Sequence, residues 1–170
     1  PQYYYNIVTG ANFGGGSSSS ADFHAKFPNG ATITSGSYIT IDIEGSLLFN
    51  DTGGFSELPT YELKDDGDGI AIEMDQVQTG SISNTATLSN GGETVILYYW
   101  DGISSTVEDI DMVLWGDKCE AVDKTGVSTY ANDTPIGSQE ILIGSSFNSH
   151  PSGLSWQRID LTEGTETSTG

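Results

Sequence analysis

Carboxylates are the residues of this chain whose types and spacing could support chemistry. The densest acidic turn in the sequence is Leu63-Lys64-Asp65-Asp66-Gly67-Asp68-Gly69, which contains Asp65, Asp66 and Asp68. The pattern is similar to a calcium-binding loop, since calcium prefers oxygen ligands. The EF-hand pattern fails, however, because Ile70 stands where a third oxygen ligand belongs and no glutamate closes a twelve-residue loop. A calcium site of another geometry and a solvated turn both stay open, and the solvated turn is the simpler interpretation.

A second acidic group contains Glu108, Asp109 and Asp111. Paired carboxylates can serve general acid–base catalysis. We predict that Asp111 lies in a strand and that Glu108 and Asp109 lie in a loop, which favours a structural or ion-binding role. Glu108 and Asp109 therefore join the acidic turn described above as candidate calcium ligands, and no other cofactor is expected.

Nucleophilic catalysis finds no support in the sequence. His24 and His150 lie far apart, Cys119 is the single cysteine, and no Gly-x-Ser-x-Gly segment occurs. No glycine-rich phosphate loop precedes a predicted helix. We predict that His24 is a surface or cross-strand histidine, because no cysteine or second histidine lies at ligand spacing. The sequence therefore predicts a protein that is not an enzyme and has no catalytic residues.

Charge is the most skewed property of the chain. Its 170 residues include five Lys plus Arg against 24 Asp plus Glu, a formal net charge of −19. Such a field repels nucleic-acid phosphate and anionic lipid, and it attracts divalent cations. No apolar run approaches the ~18 residues of a membrane span. We therefore predict no nucleic-acid partner and no membrane insertion.

Residues 88–117 organise the predicted fold. Residues 94–100 are all β-branched, aliphatic or aromatic, which predicts a buried central strand without a solvent face and disfavours a buried helix. Asp101-Gly102 marks a turn. Residues 110–115 then form a second predicted strand, so the pattern favours a pair of neighbouring strands.

Short strands separated by turns are predicted for the rest of the chain. The predicted strands are residues 3–8, 22–27, 38–43, 140–144 and 154–161, and residues 70–74 form a short strand or a helical turn. Residues 78–86 read as a polar loop, and residues 118–139 as a long loop that is functional or held by contacts. With 22 glycines and 17% charged residues, residues 1–170 are typical of one all-β sandwich domain with long loops, ending in a polar tail over residues 162–170.

Four segments of the chain resemble the bacterial lamin-tail domain family. Leu88-Ser89-Asn90-Gly91-Gly92-Glu93-Thr94-Val95-Ile96-Leu97 resembles the family signature L-S-N-x-G-(D/E)-x-(I/V)-x-L, and Asp111-Met112-Val113-Leu114-Trp115-Gly116-Asp117 resembles the strand that follows it. An earlier family segment is similar to Phe27-Pro28-Asn29-Gly30-Ala31-Thr32-Ile33 together with residues 36–41. The closing strand of the family is similar to Ser155-Trp156-Gln157-Arg158-Ile159. The matches occur in order along the chain, so together they are more specific than any one alone.

The resemblance implies an immunoglobulin-like β-sandwich without catalytic activity. In bacteria the family occurs in secreted or surface proteins, often beside nucleases, proteases or anchoring modules. Family members usually begin with a strand of the form (F/W)-(I/V)-E-(I/L)-x-N, and nothing similar precedes Tyr3. We therefore expect either a shortened domain or an open slot that a neighbouring chain fills by strand addition.

Two functions follow as hypotheses. The first is an extracellular or cell-surface structural domain that assembles through β-edges with copies of itself or with domains of its parent protein, with calcium as a candidate cofactor. The candidate interaction residues are Tyr3, Tyr4, Tyr5, Tyr99 and Trp100. The second is a carbohydrate- or surface-binding module of an extracellular enzyme, in which residues 98–100 supply a stacking platform and residues 118–139 an adjoining loop.

Overall fold

The computed structural model describes residues 21–44, 58–64, 67–77, 79–88, 93–101, 103 and 108–115. These residues form seven strands and no helix. The strands are β1 (Ala25–Lys26), β2 (Ile41–Asp42), β3 (Tyr61–Glu62), β4 (Ile72–Glu73), β5 (Asp75–Gln76), β6 (Glu93–Tyr99) and β7 (Glu108–Trp115). The described part of the chain is therefore all-β, and it includes no helix of the length and apolarity that a membrane span requires.

The chain divides into two compact units. The first unit is Ser19–Leu88 and contains β1 to β5, whereas the second unit is Pro1–Ser18 with Ser89–Gly170 and contains β6 and β7. The single domain over residues 1–170 stays a prediction.

The first unit contains a parallel three-stranded sheet in the order β2-β3-β4. Its strands have only two residues each, so backbone hydrogen bonds beyond the strand ends hold them in register. On one side of β3, the Leu63 amide donates to the Asp42 carbonyl at 2.8 Å. On the other side, the Met74 amide donates to the Glu62 carbonyl at 2.9 Å. A separate antiparallel pair joins β1 to β5.

Strand β3 is buried on both of its faces, as is usual for the middle strand of a parallel sheet. Tyr61 and Leu63 are buried on one face, and Glu62 is only 1% exposed between them. The Phe27 ring packs edge-on against the Tyr61 ring, with a centroid separation of 5.3 Å and an interplanar angle of 73°. The described core of the first unit therefore centres on β3.

A tight turn ends the segment that contains β1, as Pro28-Asn29-Gly30 predicts. The Ala31 amide donates to the Pro28 carbonyl at 3.0 Å, and Gly30 has a φ of 85°. A positive φ at the third position of a turn favours glycine, because a side chain there would be strained.

The second unit contains the antiparallel pair of β6 and β7. Its register runs from Glu93 opposite Trp115 to Tyr99 opposite Glu108, with an irregularity between Leu97 and Tyr98 that leaves Ile110 as an extra residue in β7. The predicted strand pair is confirmed, although β7 begins two residues earlier than predicted. Where the sequence predicts a turn at Asp101-Gly102, the Asp101 Oδ1 atom accepts a hydrogen bond from the Ile103 amide at 2.8 Å.

The predicted burial of β6 is wrong. Val95, Leu97 and Tyr99 are 36%, 46% and 56% exposed, whereas the residues between them are half-buried. Strand β6 therefore has a solvent-accessible face. An unbroken apolar run predicts a strand, but it does not reveal whether other elements cover both of its faces.

Several strands are shorter than predicted, and two were not predicted. Within the predicted strands 22–27, 38–43 and 70–74, only Ala25–Lys26, Ile41–Asp42 and Ile72–Glu73 pair as strands. Strands β3 and β5 were missed, because two residues are too few to show a periodic pattern. The predicted strands 3–8, 140–144 and 154–161, the long loop 118–139 and the tail 162–170 lie outside the described residues.

The buried aromatic pair leads to a stability prediction. We expect Tyr61→Ala to lower the free energy of unfolding by about 3 kcal/mol, because it removes a buried ring and its contact with Phe27. Tyr38→Ala is the matched control, since Tyr38 is 91% exposed, and we expect a change within about 0.5 kcal/mol. Urea unfolding followed by circular dichroism measures both, and equal losses would contradict the described core.

Candidate interaction surface

The register of β6 and β7 places a set of apolar and acidic side chains on one face of the pair. Side chains alternate between faces along a strand, and residues opposite each other in the register share a face. We define the outer face by Val95, Leu97 and Tyr99 of β6 with their partners Val113, Asp111 and Glu108 of β7. The other face carries the half-buried Thr94, Ile96, Tyr98 and Met112, together with the buried Leu114.

Exposure on the outer face increases towards the turn that follows β6. It rises in steps from Val95 through Leu97 to Tyr99. Beyond the strand, Trp100 is 38% exposed and Ile103 is 90% exposed. A run of exposed large apolar side chains is a feature that marks interaction sites on proteins.

Two of the five predicted interaction residues lie in this region. Tyr99 and Trp100 are exposed at the end of β6, whereas Tyr98 is half-buried and points to the opposite face from Tyr99. Tyr3, Tyr4 and Tyr5 lie outside the described residues. The apolar side chains of Val95 and Leu97 were not predicted as part of the site, because an unbroken apolar run predicts a buried strand.

The predicted acidic turn of the first unit is described only in part. The Asp68 Oδ1 atom accepts a hydrogen bond from the Ile70 amide at 2.7 Å, so this carboxylate stabilises the turn itself. Asp65 and Asp66 lie outside the described residues. The calcium site at this turn therefore stays a prediction.

The prediction that Glu108 and Asp109 lie in a loop is wrong. Both belong to β7, where Glu108 lies opposite Tyr99 and Asp109 lies opposite Tyr98. Pairing with the aromatic end of β6 extends the strand into residues that look polar and loop-like in sequence. Among the residues that the structure describes, no group of three or more His, Cys, Asp or Glu side chains is arranged to hold a metal ion.

An acidic row across the first unit was also missed. Asp42, Glu62 and Glu73 occupy adjacent positions on β2, β3 and β4. Two residues further along the first two strands, the Lys64 Nζ atom donates to the Glu44 Oε2 atom at 3.0 Å. The sequence did contain a signal for this row, because an apolar residue precedes the acidic residue in each of the three strands.

His24 was predicted as a surface or cross-strand histidine; it is buried, so the surface alternative is wrong, and its backbone pairs across to neighbouring segments. Its amide donates to the Ser81 carbonyl at 2.7 Å, and the Ser81 hydroxyl donates to the His24 carbonyl at 2.6 Å. The Val77 amide also donates to the His24 carbonyl, at 3.4 Å, which continues the β1–β5 register. Burial lowers the pKa of His24 from 6.5 to about 4, because a charged imidazole would lose its hydration there.

Comparisons with known proteins identify no relative of this chain. No family model, no curated protein and no solved structure matches the chain.

The buried histidine predicts a specific pH dependence of stability. The unfolded chain protonates His24 near pH 6.5, whereas the folded chain keeps it neutral until about pH 4. Its contribution is therefore fully present above pH 6.5 and is lost as the pH falls from about 6.5 to about 4. By linkage we expect a loss of about 2 kcal/mol between pH 7.5 and pH 5 from this group.

The matched comparison for this prediction is His24→Gln, which removes the titrating group and keeps every other charge. Urea unfolding at pH 7.5 and pH 5 gives the free energy of unfolding of both proteins. We expect the unsubstituted chain to lose about 2 kcal/mol more than the variant over this range. Parallel losses in the two proteins would show that His24 is not held neutral by burial.

Proposed function

We propose that this chain is a non-catalytic interaction domain of a secreted or cell-surface protein, and that it mediates assembly between protein chains. The observation that carries the proposal is the outer face of the β6–β7 pair, where Val95, Leu97 and Tyr99 are exposed side by side. When a partner buries exposed apolar side chains, their removal from water favours association. The sequence offers no nucleophile–base constellation that would suggest catalysis.

We infer that the complete fold is an immunoglobulin-like β-sandwich of the lamin-tail type. The strands and the absence of helices among the described residues support its all-β character, whereas the parallel pairing of β2, β3 and β4 departs from the antiparallel sheets of such a sandwich. The two central motifs of the resemblance coincide with β6 and β7. Further support comes from the order of the motifs along the chain.

Assembly through strand edges is the mode of association that we propose. In the described part of the chain, the sheet of the second unit consists of β6 and β7. Strand addition from another chain extends such a sheet by backbone hydrogen bonds. The net charge of −19 opposes contact between copies. Calcium is the cofactor that we propose to relieve this repulsion, with Asp65, Asp66, Asp68, Glu108 and Asp109 as its candidate ligands.

Calcium-dependent sedimentation tests the proposed assembly. We expect the full chain to sediment as larger species with calcium than with a chelator, and negative-stain electron microscopy to show ordered assemblies only with calcium. Glu108→Gln should weaken the calcium effect, because it removes one candidate ligand charge. Asp75→Asn is the control, since it removes an exposed charge outside the candidate ligands. A chain that stays monomeric at high concentration under both conditions would refute assembly between copies.

A carbohydrate-binding module is the second candidate function. It is favoured by the exposed rings of Tyr99 and Trp100 at the end of β6, since aromatic rings can supply stacking surfaces to sugars. Under this alternative, oligosaccharide titration should change tryptophan fluorescence, and Trp100→Ala should abolish the change. A glycan array without bound sugars, together with unchanged fluorescence, would argue against it.

A further inference from the structure

One exposed turn of the first unit contains an asparagine followed by a glycine. The sequence has two such pairs, Asn29-Gly30 and Asn90-Gly91, and the first lies within the described residues. Asparagine is among the thermolabile residues of proteins. Its side-chain amide carbon is an electrophile, and the backbone nitrogen of the next residue is a nucleophile placed to reach it. The pair at the turn therefore has the residue types for a reaction of the chain with itself.

Asn29 and Gly30 are both exposed at this turn. The turn is closed by the hydrogen bond from the Ala31 amide to the Pro28 carbonyl. Neither the Asn29 side chain nor the Gly30 amide makes a hydrogen bond to another described residue. Water and base therefore reach the Gly30 N–H, and no such bond holds the Asn29 side chain away from it.

Glycine at position 30 keeps the attacking nitrogen accessible. Gly30 has no Cβ atom, and its φ of 85° is a conformation that glycine adopts without strain. Among the described residues, apart from its chain neighbours, no heavy atom lies within 4 Å of the position that a Cβ atom would take there. The turn therefore leaves room for a ring to close between the Asn29 side chain and the Gly30 nitrogen.

Asn84 provides a contrast within the same unit. It is exposed like Asn29, but it is followed by Thr85, which is β-branched. The Thr85 amide donates to the Ser83 Oγ atom at 3.2 Å, so the nitrogen that would attack the Asn84 side chain already has an acceptor. The branched side chain also restricts the space beside that nitrogen. Exposure is therefore common to the two asparagines, whereas an accessible and unbonded nucleophile follows Asn29.

We propose that Asn29 is a site of spontaneous covalent modification, at which the chain forms a cyclic imide that opens to aspartate or isoaspartate. Base removes the proton from the Gly30 amide, and the nitrogen attacks the Asn29 Cγ atom. The new C–N bond forms as the bond from Cγ to the side-chain nitrogen breaks, and that nitrogen takes up a proton and leaves as ammonia. The reaction requires water and base but no cofactor, and it is independent of the proposed interaction function.

Water then opens the imide at one of its two carbonyl carbons. Attack at Cγ restores the ordinary peptide bond and gives aspartate, whereas attack at the main-chain carbonyl carbon gives isoaspartate, in which the backbone runs through Cγ. Both products add a negative charge to a stretch without charged residues, which extends from Phe27 to Ile41. Isoaspartate also inserts a methylene group into the backbone of the turn.

The inserted methylene group changes the spacing between the Pro28 carbonyl and the Ala31 amide, which hydrogen-bond to each other in the unmodified turn. Phe27 lies directly before this turn, and its ring packs against Tyr61 in the core of the first unit. We therefore expect the isoaspartate form to unfold at a lower urea concentration than the aspartate form, although both carry the same charge.

Site-resolved peptide mass spectrometry of the full chain tests the proposal. The folded chain is aged at mildly alkaline pH, and fragment spectra then identify each asparagine that has become an acid. We expect Asn29 to be converted while Asn84 stays intact in the same sample. Conversion of Asn29 should accelerate as the pH is raised, because the Gly30 nitrogen attacks only after it loses its proton.

Two variants separate the steps of the reaction. Asn29→Gln should show no conversion at this position, since its longer side chain would have to close a larger ring. Asn29→Asp carries the charge of the products without the inserted methylene group. Urea unfolding should therefore give the same midpoint for Asn29→Asp before and after ageing at this site, and a lower midpoint for the fraction of the aged unsubstituted chain that contains isoaspartate at position 29. Circular dichroism verifies that each variant is folded.

A chain aged in concentrated urea shows what the sequence does without the fold. There we expect both Asn29 and Asn84 to convert, because the bond from the Thr85 amide to Ser83 is lost. If Asn29 stays intact in the folded chain and converts only in urea, the turn protects the pair and the proposal is overturned. Equal conversion of Asn29 and Asn84 in the folded chain would also overturn it, because exposure alone would then decide which asparagine reacts.

Discussion

The hydrogen-bonded register between β6 and β7 decides which side chains of the second unit act together. Because side chains alternate along each strand, the register determines both the outer face and its neighbours. One extra residue, Ile110, shifts the phase of β7 near the turn. As a result Glu108, rather than Asp109, lies opposite Tyr99. The irregularity therefore decides which of the two neighbouring acidic residues lies opposite Tyr99.

The first unit depends on a different principle, which is the burial of one very short strand. Strand β3 has two residues, and the side chains of Tyr61 and Glu62 are both buried. Neighbouring strands hold it in register through hydrogen bonds that extend beyond the strand ends. A buried glutamate in the middle of an acidic row is costly to desolvate. Because successive side chains of a strand point to opposite faces, Glu62 is buried on the face opposite to that of Tyr61.

Charge and apolar exposure have opposite effects in the second unit. Apolar side chains on the outer face favour association, whereas the surrounding carboxylates discourage contact between identical copies. Burial of these apolar side chains and repulsion between the carboxylates therefore oppose each other in a contact between two copies. Selection among partners by repulsion as well as attraction is a general route to specificity.

The predicted strands differ in how closely their bounds agree with the strands of the structure. Residues 94–100 carry a continuous signal of β-branched, aliphatic and aromatic side chains, and residues 110–115 carry an apolar signal that only Asp111 interrupts. The structure has strands there, over Glu93–Tyr99 and Glu108–Trp115. Strands β3 and β5, of two residues each, lie in segments without a periodic signal and were missed, whereas β1, β2 and β4, equally short, lie within longer predicted strands. Tyr99 and Trp100 were found as candidate interaction residues because exposed aromatic rings suit binding. Val95 and Leu97 were not, because aliphatic residues in an apolar run are usually buried.

The strand-forming character of the central segment, its bounding turns and the excess of negative charge follow from residue types alone. These properties are local or additive, so they can be read along the chain. The exposure of one face of β6, the burial of His24 and the strand position of Glu108 depend instead on tertiary contacts. Burial and pairing depend on which distant segments lie across from a residue, and that information is not contained in its neighbours along the sequence.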